Sequence, residues 1–464
     1  MSRHLSVGRS VACWILSFAA LAALLAAEPG HAQTPRVSGQ GTAASSMGNA
    51  FSAQADDASA LHYNPAGMTQ LRGVQVLTGS LFIGGVTTHT STAGQVTVGD
   101  RSGSVAWPPP THFYVTANLK DIGFDALEKW TAGIGVTVPF GSLTEYQETA
   151  PFRFSTLFNT LPLLDIKPTI AYKLNDKLSF GLGMDIYTFS SLFGEGHTEF
   201  KFISGGSGGT TPGSQLELQG RDTALGFNAS MMYTPFRNAE GKPLANIGIV
   251  YRSQATLQLQ GTLLQNGRTF ADARAPVVLP QIITGAIALW PIRDQEREWK
   301  LELDVDHVNW HAVRHNNVSL SNGGGIPLPN NWRNSYNVMV GTEYKFLKIE
   351  QMPDWEVAMR AGYTQVQAQM PDQNFNPGIP SADNHIPSVG LGFTCKANGS
   401  FLGLTKCSNI GLGPIKSKSI GLDLSYQMAL YEDRFVTGHA TNPAINGTYR
   451  TTIHAGGVSL RFNF

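Results

Sequence analysis

The sequence predicts an all-β protein: a transmembrane antiparallel β-barrel of about 14 strands with a small N-terminal helical hatch in its lumen. Three observations predict it. An export leader is followed by no apolar run long enough for a membrane helix. Segments of alternating polarity recur from Val74 to the last residue. A small, polar stretch between leader and strands fits no strand pattern.

In the leader, residues 1–32, Arg3 and Arg9 are basic, Val11 to Ala27 is almost wholly apolar, and Gly30-His31-Ala32 places small residues where a signal peptidase inspects the chain. Cleavage before Gln33 is expected, with the mature protein in the outer membrane of a Gram-negative cell. The alternative is an anchor helix, but this run stops short of the roughly 20 apolar residues that span a bilayer. Beyond it the chain is either a soluble periplasmic protein or a barrel. With 33 basic and 33 acidic side chains in 464 residues, no basic stripe offers itself to nucleic acid. Cys13 departs with the leader. Cys395 and Cys407 remain, in an oxidising compartment, as a disulfide or as two unpaired thiols.

The C-terminal segment alternates most clearly: Val458, Leu460, Phe462 and Phe464 are apolar, and Ser459, Arg461 and Asn463 are polar. Such a strand has one lipid-facing and one water-facing row, with a terminal Phe on the outward row. Phe180, Leu182, Met184 and Ile186 repeat the pattern, as do Leu301, Leu303 and Val305, and Ile420, Leu422, Leu424 and Tyr426. Alternation also suits a soluble sandwich; the connections separate the two. Longer ones near 87–111, 142–164, 192–222, 261–277, 312–334, 368–384 and 433–446 alternate with shorter ones at Asn175-Asp176, 237–244, 291–297 and 347–354. The longer set should face outside and the shorter set the periplasm. The stretch 397–416, with Cys407, is a periplasmic connection longer than its fellows. Trp130, Tyr146, Trp299, Trp355 and Tyr431 stand where interface girdles belong, or else are packed core aromatics.

Residues 33–73 read as the hatch and 74–464 as the barrel. Asp56-Asp57-Ala58-Ser59 opens a short helical turn, and Asn64-Pro65 starts a second helix, Asn capping free amides and Pro losing no bond at the first helical position. A lumen this wide needs a plug, because the strands' own side chains cannot fill it.

The run Gly48-Asn49-Ala50 through Ala55-Asp56-Asp57-Ala58-Ser59, followed by Asn64-Pro65-Ala66-Gly67-Met68, resembles the N-terminal hatch of the FadL family of long-chain fatty-acid and toluene-type hydrocarbon transporters. Val138-Pro139-Phe140-Gly141 is similar to that family's third strand. Trp332-Arg333-Asn334-Ser335 with Val340-Gly341-Thr342-Glu343-Tyr344, and Arg360-Ala361-Gly362-Tyr363 with Asn376-Pro377-Gly378-Ile379-Pro380, resemble its later strands and loops. The resemblance implies a fourteen-stranded barrel closed by a hatch, a passive channel and not an enzyme, with Gln33 and its neighbours lining an inner pocket.

A hydrophobic solute gains about 0.8 kcal/mol per CH₂ on leaving water, so a greasy path with a side exit serves it better than a wet pore. Pro139 cannot donate to a ladder, and with Gly135 before and Gly141 after it the third strand should kink inward. By the resemblance, Gly135, Pro139, Phe140 and Gly141 would form a lateral gate; the bland alternative is a plain strand end. Phe152, Arg153, Phe154, Leu157 and Phe158 form an apolar patch on the next outer loop, suited to ligand capture or to packing onto the rim. Arg153 could pair with a carboxylate. In the hatch, Gln33, Asp57, Asn64, Pro65, Ala66 and Gly67 carry the likeness. A fatty acid needs a cation in its pocket and an aromatic hydrocarbon does not; Arg252, Arg360 and Lys167 are the candidates. The expected partners are a hydrophobic small molecule and outer-membrane lipid, with the protein a monomer and without cofactor.

Competing classes fare less well. His62, His112, His307, His311 and His315 are scattered, and alternation puts Asp304 and Asp306 on one face of their strand with His307 on the other, a poor metal cage. No nucleophile motif, phosphate loop or paired-cysteine motif appears. A general porin needs no separate plug and no apolar loop. A structural barrel would have large loops and a permanently closed lumen.

Overall fold

The computed structural model describes residues 36–99, 105–379, 381–412 and 415–464. The expected leader, with Cys13, and Gln33 lie outside the described residues. Fourteen strands close into one antiparallel barrel: β1 (Val74–Ser91), β2 (Thr111–Asn118), β3 (Trp130–Phe140), β4 (Leu163–Lys173), β5 (Leu178–Thr188), β6 (Ala224–Arg237), β7 (Pro243–Arg252), β8 (Ile282–Arg293), β9 (Arg297–Val308), β10 (Ser335–Phe346), β11 (Trp355–Val366), β12 (Asn384–Lys396), β13 (Ser419–Tyr431) and β14 (Gly447–Asn463). Each pairs with its neighbours in sequence, and β1 returns to β14 from Gln75↔Asn463 to Ser91↔Gly447. Closure removes the unpaired edge that hydrocarbon would not tolerate.

The alternation of the sequence sorts the two faces. On β5, Leu182 is 56% exposed while its neighbour Asp185 is fully buried, and Met359 on β11 and Val389 on β12 are likewise exposed. Apolar side chains outside and polar ones inside are what a membrane barrel requires. Trp130, Trp299 and Trp355 stand at strand ends on the short-turn side, with Trp130 against Tyr172 at 4.6 Å. Tyr146 and Tyr431 are not girdle residues. Tyr146 is buried in an inter-loop core with Phe152 and Tyr449, and Tyr431 packs beside Val366 and Ile386.

The outer connections hold structure that alternation does not announce. Eight strands from four of them form a second sheet, ordered Gly325–Ile326, Val318–Leu320, Arg268–Leu279, Ala255–Gln265, Gln215–Arg221, Thr198–Ile203, Phe158–Thr160 and Leu143–Glu145. Below it the largest apolar cluster gathers Phe140, Leu163, Tyr187, Leu257, Trp310 and Trp332, the two tryptophans edge to face at 5.2 Å.

The segment from Arg36 to Gly73 fills the lumen with two single-turn helices, α1 (Thr42–Ser45) and α2 (Ala60–Tyr63), and a 3₁₀ helix at Pro65–Gln70. The barrel admits it through inward-facing glycines. Gly341 and Gly362 are register partners on β10 and β11, and a Cβ on Gly362 would stand 2.0 Å from the Met47 carbonyl carbon. The hatch answers with Gly48, in the left-handed region at φ 63°, where a Cβ would lie 2.7 Å from the Tyr363 nitrogen. Two backbones therefore touch. Gly362→Leu should displace residues 45–50 from the wall while the outward face of β11 stays unchanged; limited proteolysis should then cut within the hatch, and intact protection would count against this packing.

Candidate functional site

The β2–β3 ladder runs from Asn118↔Thr131 to Phe113↔Val136 and stops, although β3 continues to Phe140 and β2 begins at Thr111. On its other side β3 slips register against β4 between Thr137 and Phe140. Pro139, lacking an N–H, sits inside the slip. The freed backbone groups turn inward to the hatch. Gln40 spans Val138, its Nε2 donating to the carbonyl at 2.9 Å and its Oε1 accepting from the amide at 3.0 Å. The Val37 amide donates to the Pro139 carbonyl at 3.0 Å, and Arg36 bridges Phe140. Tyr114, on β2, holds the same turn by donating its hydroxyl to the Gln40 carbonyl at 2.6 Å. Gly135 faces Tyr114 and Leu61 too closely for a Cβ, and Gly141 lies against the Leu161 carbonyl and Val37. Beyond Val136 the upper end of β3 is thus paired to the plug and not to β2, and it rejoins β4 only at Phe140↔Leu163.

A cavity of ≈ 800 Å³ lies at this break. Inside the barrel it is lined by Leu81, Ile83, Ile386, Ala429 and Ile453; beside the break by Val138 and Gly141 to Glu145; and along β1 by the segment Val105 to Pro110. That segment stands where β2 would have continued, Leu81 donating to Pro110 and Ala106 to Ile83, each at 2.8 Å. Its volume and apolar lining suit a small hydrophobic ligand. The cations at its edge are held by acids: Arg36 by Asp306, and Lys201 by Glu199 at 2.9 Å and Glu217 at 3.3 Å. The run Trp107-Pro108-Pro109-Pro110 escaped the sequence reading, though so dense a proline cluster after a strand is a loop with little freedom.

The outer patch divides. Phe152 and Leu157 are buried with Phe375, Val436, Ile445 and Tyr449, where loops pack on one another, so they are not available to an incoming ligand. Arg153 lies over the Phe154 ring at 4.6 Å and donates to the Ala150 carbonyl. Phe158 faces the inner cavity, with Lys201 above its ring, and Phe154 faces a second, outer cleft of ≈ 600 Å³. That cleft is lined by Phe200, Leu218, Val277 and Ile326, and by the exposed Arg274. His439 also lines it and donates its Nε2–H to the Phe375 carbonyl at 3.0 Å; burial lowers its pKa.

The three candidate cations all point into the lumen, and all are engaged there. Lys167 sits between Asp165, at 2.6 Å, and Asp185. Arg360 donates to Glu343 at 2.6 Å and Asp423 at 2.8 Å, and Arg252 to the His62 carbonyl at 2.9 Å. Lys167 and Arg360 thus join wall strands to one another, and Arg252 joins the wall to the hatch. Asp304 accepts from the Phe51 and Ser52 amides at 3.1 and 2.9 Å, and Glu302 from the Ala53 and Gln54 amides at 2.7 and 3.1 Å. His307, on the other face, packs outside against Tyr336, the rings tilted at 56° with centroids 5.1 Å apart.

Within the hatch, Asp57 accepts from the Ser59 amide at 2.8 Å and hydroxyl at 2.6 Å. Asn64 caps the Pro65–Gln70 helix through the Ala66 amide, and its Nδ2 donates to Ser52 at 2.6 Å. Ala66 also donates to Ser230 of β6, and Gly67 meets Ala55 too closely for a Cβ. Cys395 and Cys407 are joined in a disulfide.

Residues 19–401 match the family described as outer membrane protein transport protein (OMPP1/FadL/TodX). The chain is 22% identical to the long-chain fatty acid transport protein of Escherichia coli O6:H1 over 77% of its own length and 82% of that protein's. It is 23% identical to outer membrane protein P1 of Haemophilus influenzae over 97% of this chain and 99% of the other. In structure it resembles a Pseudomonas aeruginosa FadL homologue, with a TM-score of 0.67 and 16% identity over 94% of this chain and all of that one. A Pseudomonas putida toluene transporter, TodX, follows at 0.59 and 17%, covering 92% of this chain and 99% of the other.

Proposed function

Because the chain belongs to the outer membrane protein transport family (OMPP1/FadL/TodX), we propose that it takes long-chain fatty acids or similar hydrophobic molecules through the outer membrane passively, and releases them sideways between β2 and β3. The observation that carries the proposal is the end of the β2–β3 ladder at Phe113↔Val136, with the ≈ 800 Å³ cavity beside it. A ligand that moves from cavity to bilayer through this break never returns its chain to water, so it keeps the roughly 0.8 kcal/mol per CH₂ already gained. The hatch blocks the direct route to the periplasm.

Capture begins in the outer cleft, where Phe154 and Phe200 supply apolar surface and Arg274 a carboxylate partner. The ligand then passes under the loop sheet to the inner cavity, whose floor is Arg36 and Val37. Movement of these two residues would loosen the Val37 to Pro139 bond and widen the break. Gly141→Trp, which fills the space next to Val37 and Leu161, should cut uptake of labelled oleate by cells at least tenfold while leaving a heat-resistant folded barrel. Undiminished uptake by a folded variant would remove the lateral route.

A second reading, a channel for neutral hydrocarbons, is favoured by the pairing of Arg36 and Lys201 with acids in the inner cavity. Competition separates the two. Oleate binding that survives excess toluene and falls with Arg274→Gln supports the fatty-acid reading, and toluene binding alone supports the hydrocarbon one.

A further inference from the structure

The connection between β12 and β13, residues 397–418, is the longest on the short-turn side, and its part from 397 to 412 folds back on the barrel. Trp355, Cys395, Ile420 and Phe462 are consecutive register partners across β11, β12, β13 and β14. They lie on the same row as the exposed Met359, Val389, Leu391, Leu424 and Tyr426, which is the lipid-facing row. Yet Cys395 and Ile420 are buried, because the connection folds back over them. Phe401 stacks on Trp355, with ring centroids 6.1 Å apart at 27°, and Ile410 closes over the same cluster. The Cys395–Cys407 disulfide pins the fold-back, and Gly399 passes so close to Cys395 Sγ that a Cβ would stand 2.7 Å from it.

The hairpin pinned in this way, Ser400–Phe401 against Thr405–Lys406, turns at Leu402 and Gly403. Its tip offers Leu402 at 68% and Leu404 at 84% exposure, beside aromatic residues of the barrel's interfacial row. Residues 397–418 contain no acid but have Lys406, Lys416 and Lys418; all three are exposed, and Lys418 is engaged, donating to the Phe464 carbonyl at 2.9 Å.

We propose that this connection is a lipid-binding collar: Leu402 and Leu404 enter the headgroup boundary of the phospholipid leaflet on the short-turn side, and Lys406 and Lys416 meet anionic headgroups. Two arguments select this occupant over a periplasmic protein. The collar lies on the barrel surface that bilayer already covers, so its tip is continuous with an existing lipid interface. An apolar edge bordered by lysines also matches the interfacial region, where apolar side chains take the acyl boundary and cations the phosphates.

The test places a tryptophan at the tip, Leu404→Trp, in the full barrel, with Leu402→Trp as a second position. The protein is reconstituted in vesicles of phosphatidylethanolamine with a minority of phosphatidylglycerol, either lipid brominated near the top of its acyl chain. The emission added over the parent protein should be blue-shifted, should lose most of its intensity to the brominated lipid and should resist acrylamide. Adding phosphatidylglycerol should deepen the quenching, and Lys406→Gln with Lys416→Gln should abolish that increment. Added emission that acrylamide quenches freely and brominated lipid leaves intact, at both positions, would overturn the collar and put the tip in water. Quenching indifferent to phosphatidylglycerol would overturn the role of the lysines.

Discussion

Replacing Glu302 and Asp304 together by alanine should free the hatch while the barrel stays closed. These two carboxylates, on alternate positions of one strand, accept four consecutive hatch amides, from Phe51 to Gln54. Each amide left without an acceptor costs about 1–3 kcal/mol where it stays buried. Water entering the space would recover part of that. The wall ladder itself, from Asp304↔Met339 to Glu302↔Gly341, uses backbone only; the buried Lys300, which loses its Glu302 partner at 2.9 Å, lowers the barrel's stability without breaking that ladder. Amide exchange at residues 51–54 should therefore accelerate by at least roughly a hundredfold, about 2.8 kcal/mol at 1.4 kcal/mol per tenfold, and ion conductance should rise. Unchanged exchange would mean that the hatch is held by packing against the glycines and not by this clasp.

Lys167→Met should be the most destabilising single change in the barrel wall. Lys167, Asp165 and Asp185 have fully buried side chains, and Asn228 adds a bond to Asp185 at 2.9 Å. Removing the lysine leaves two buried carboxylates with only the Asn228 hydrogen bond and the charge of nearby Arg252 to offset them, a loss on the order of 3–5 kcal/mol. The drop should appear in the temperature at which the folded barrel converts to the unfolded form. Neutralising all three, Asp165→Asn with Lys167→Met and Asp185→Asn, should restore most of it, because the penalty belongs to unpaired charge and not to lost volume. If the triple variant is no better than the single one, packing around the lysine stem carries the stability instead.

The barrel was legible because lipid writes a period of two into every strand it touches. Leu182, Met184 and Leu424 are outside and Asp185 and Asp423 inside, as their alternation implies. The acids at 302, 304 and 306 share that inward row, yet the partners of Glu302 and Asp304 were not legible: backbone amides leave no mark in a sequence. The loop sheet was hidden for another reason. Its shortest strands, such as Phe158–Thr160 and Leu143–Glu145, cannot show alternation and pair with segments well away in the chain, while the longer Ala255–Gln265 and Arg268–Leu279 form a local hairpin across the stretch 261–277, read from sequence as a connection. The same distance misled the reading of the outer patch, where Phe152 is covered by Phe375 and Tyr449 from loops far along the chain. Pro139 was more informative. A residue that cannot donate, between two glycines, marks a break in the ladder without any partner being known.

The measurement that tests the central claim most directly is photolabelling by a diazirine-bearing long-chain fatty acid bound to the barrel in a bilayer, with adducts mapped by mass spectrometry. The lateral route predicts adducts on Val105 to Pro110, on Val138 to Leu143 and on Leu161, around the cavity and the ladder break. Adducts on Met47, Phe51 and Ala53, inside the hatch, would contradict it and establish a route straight through the lumen.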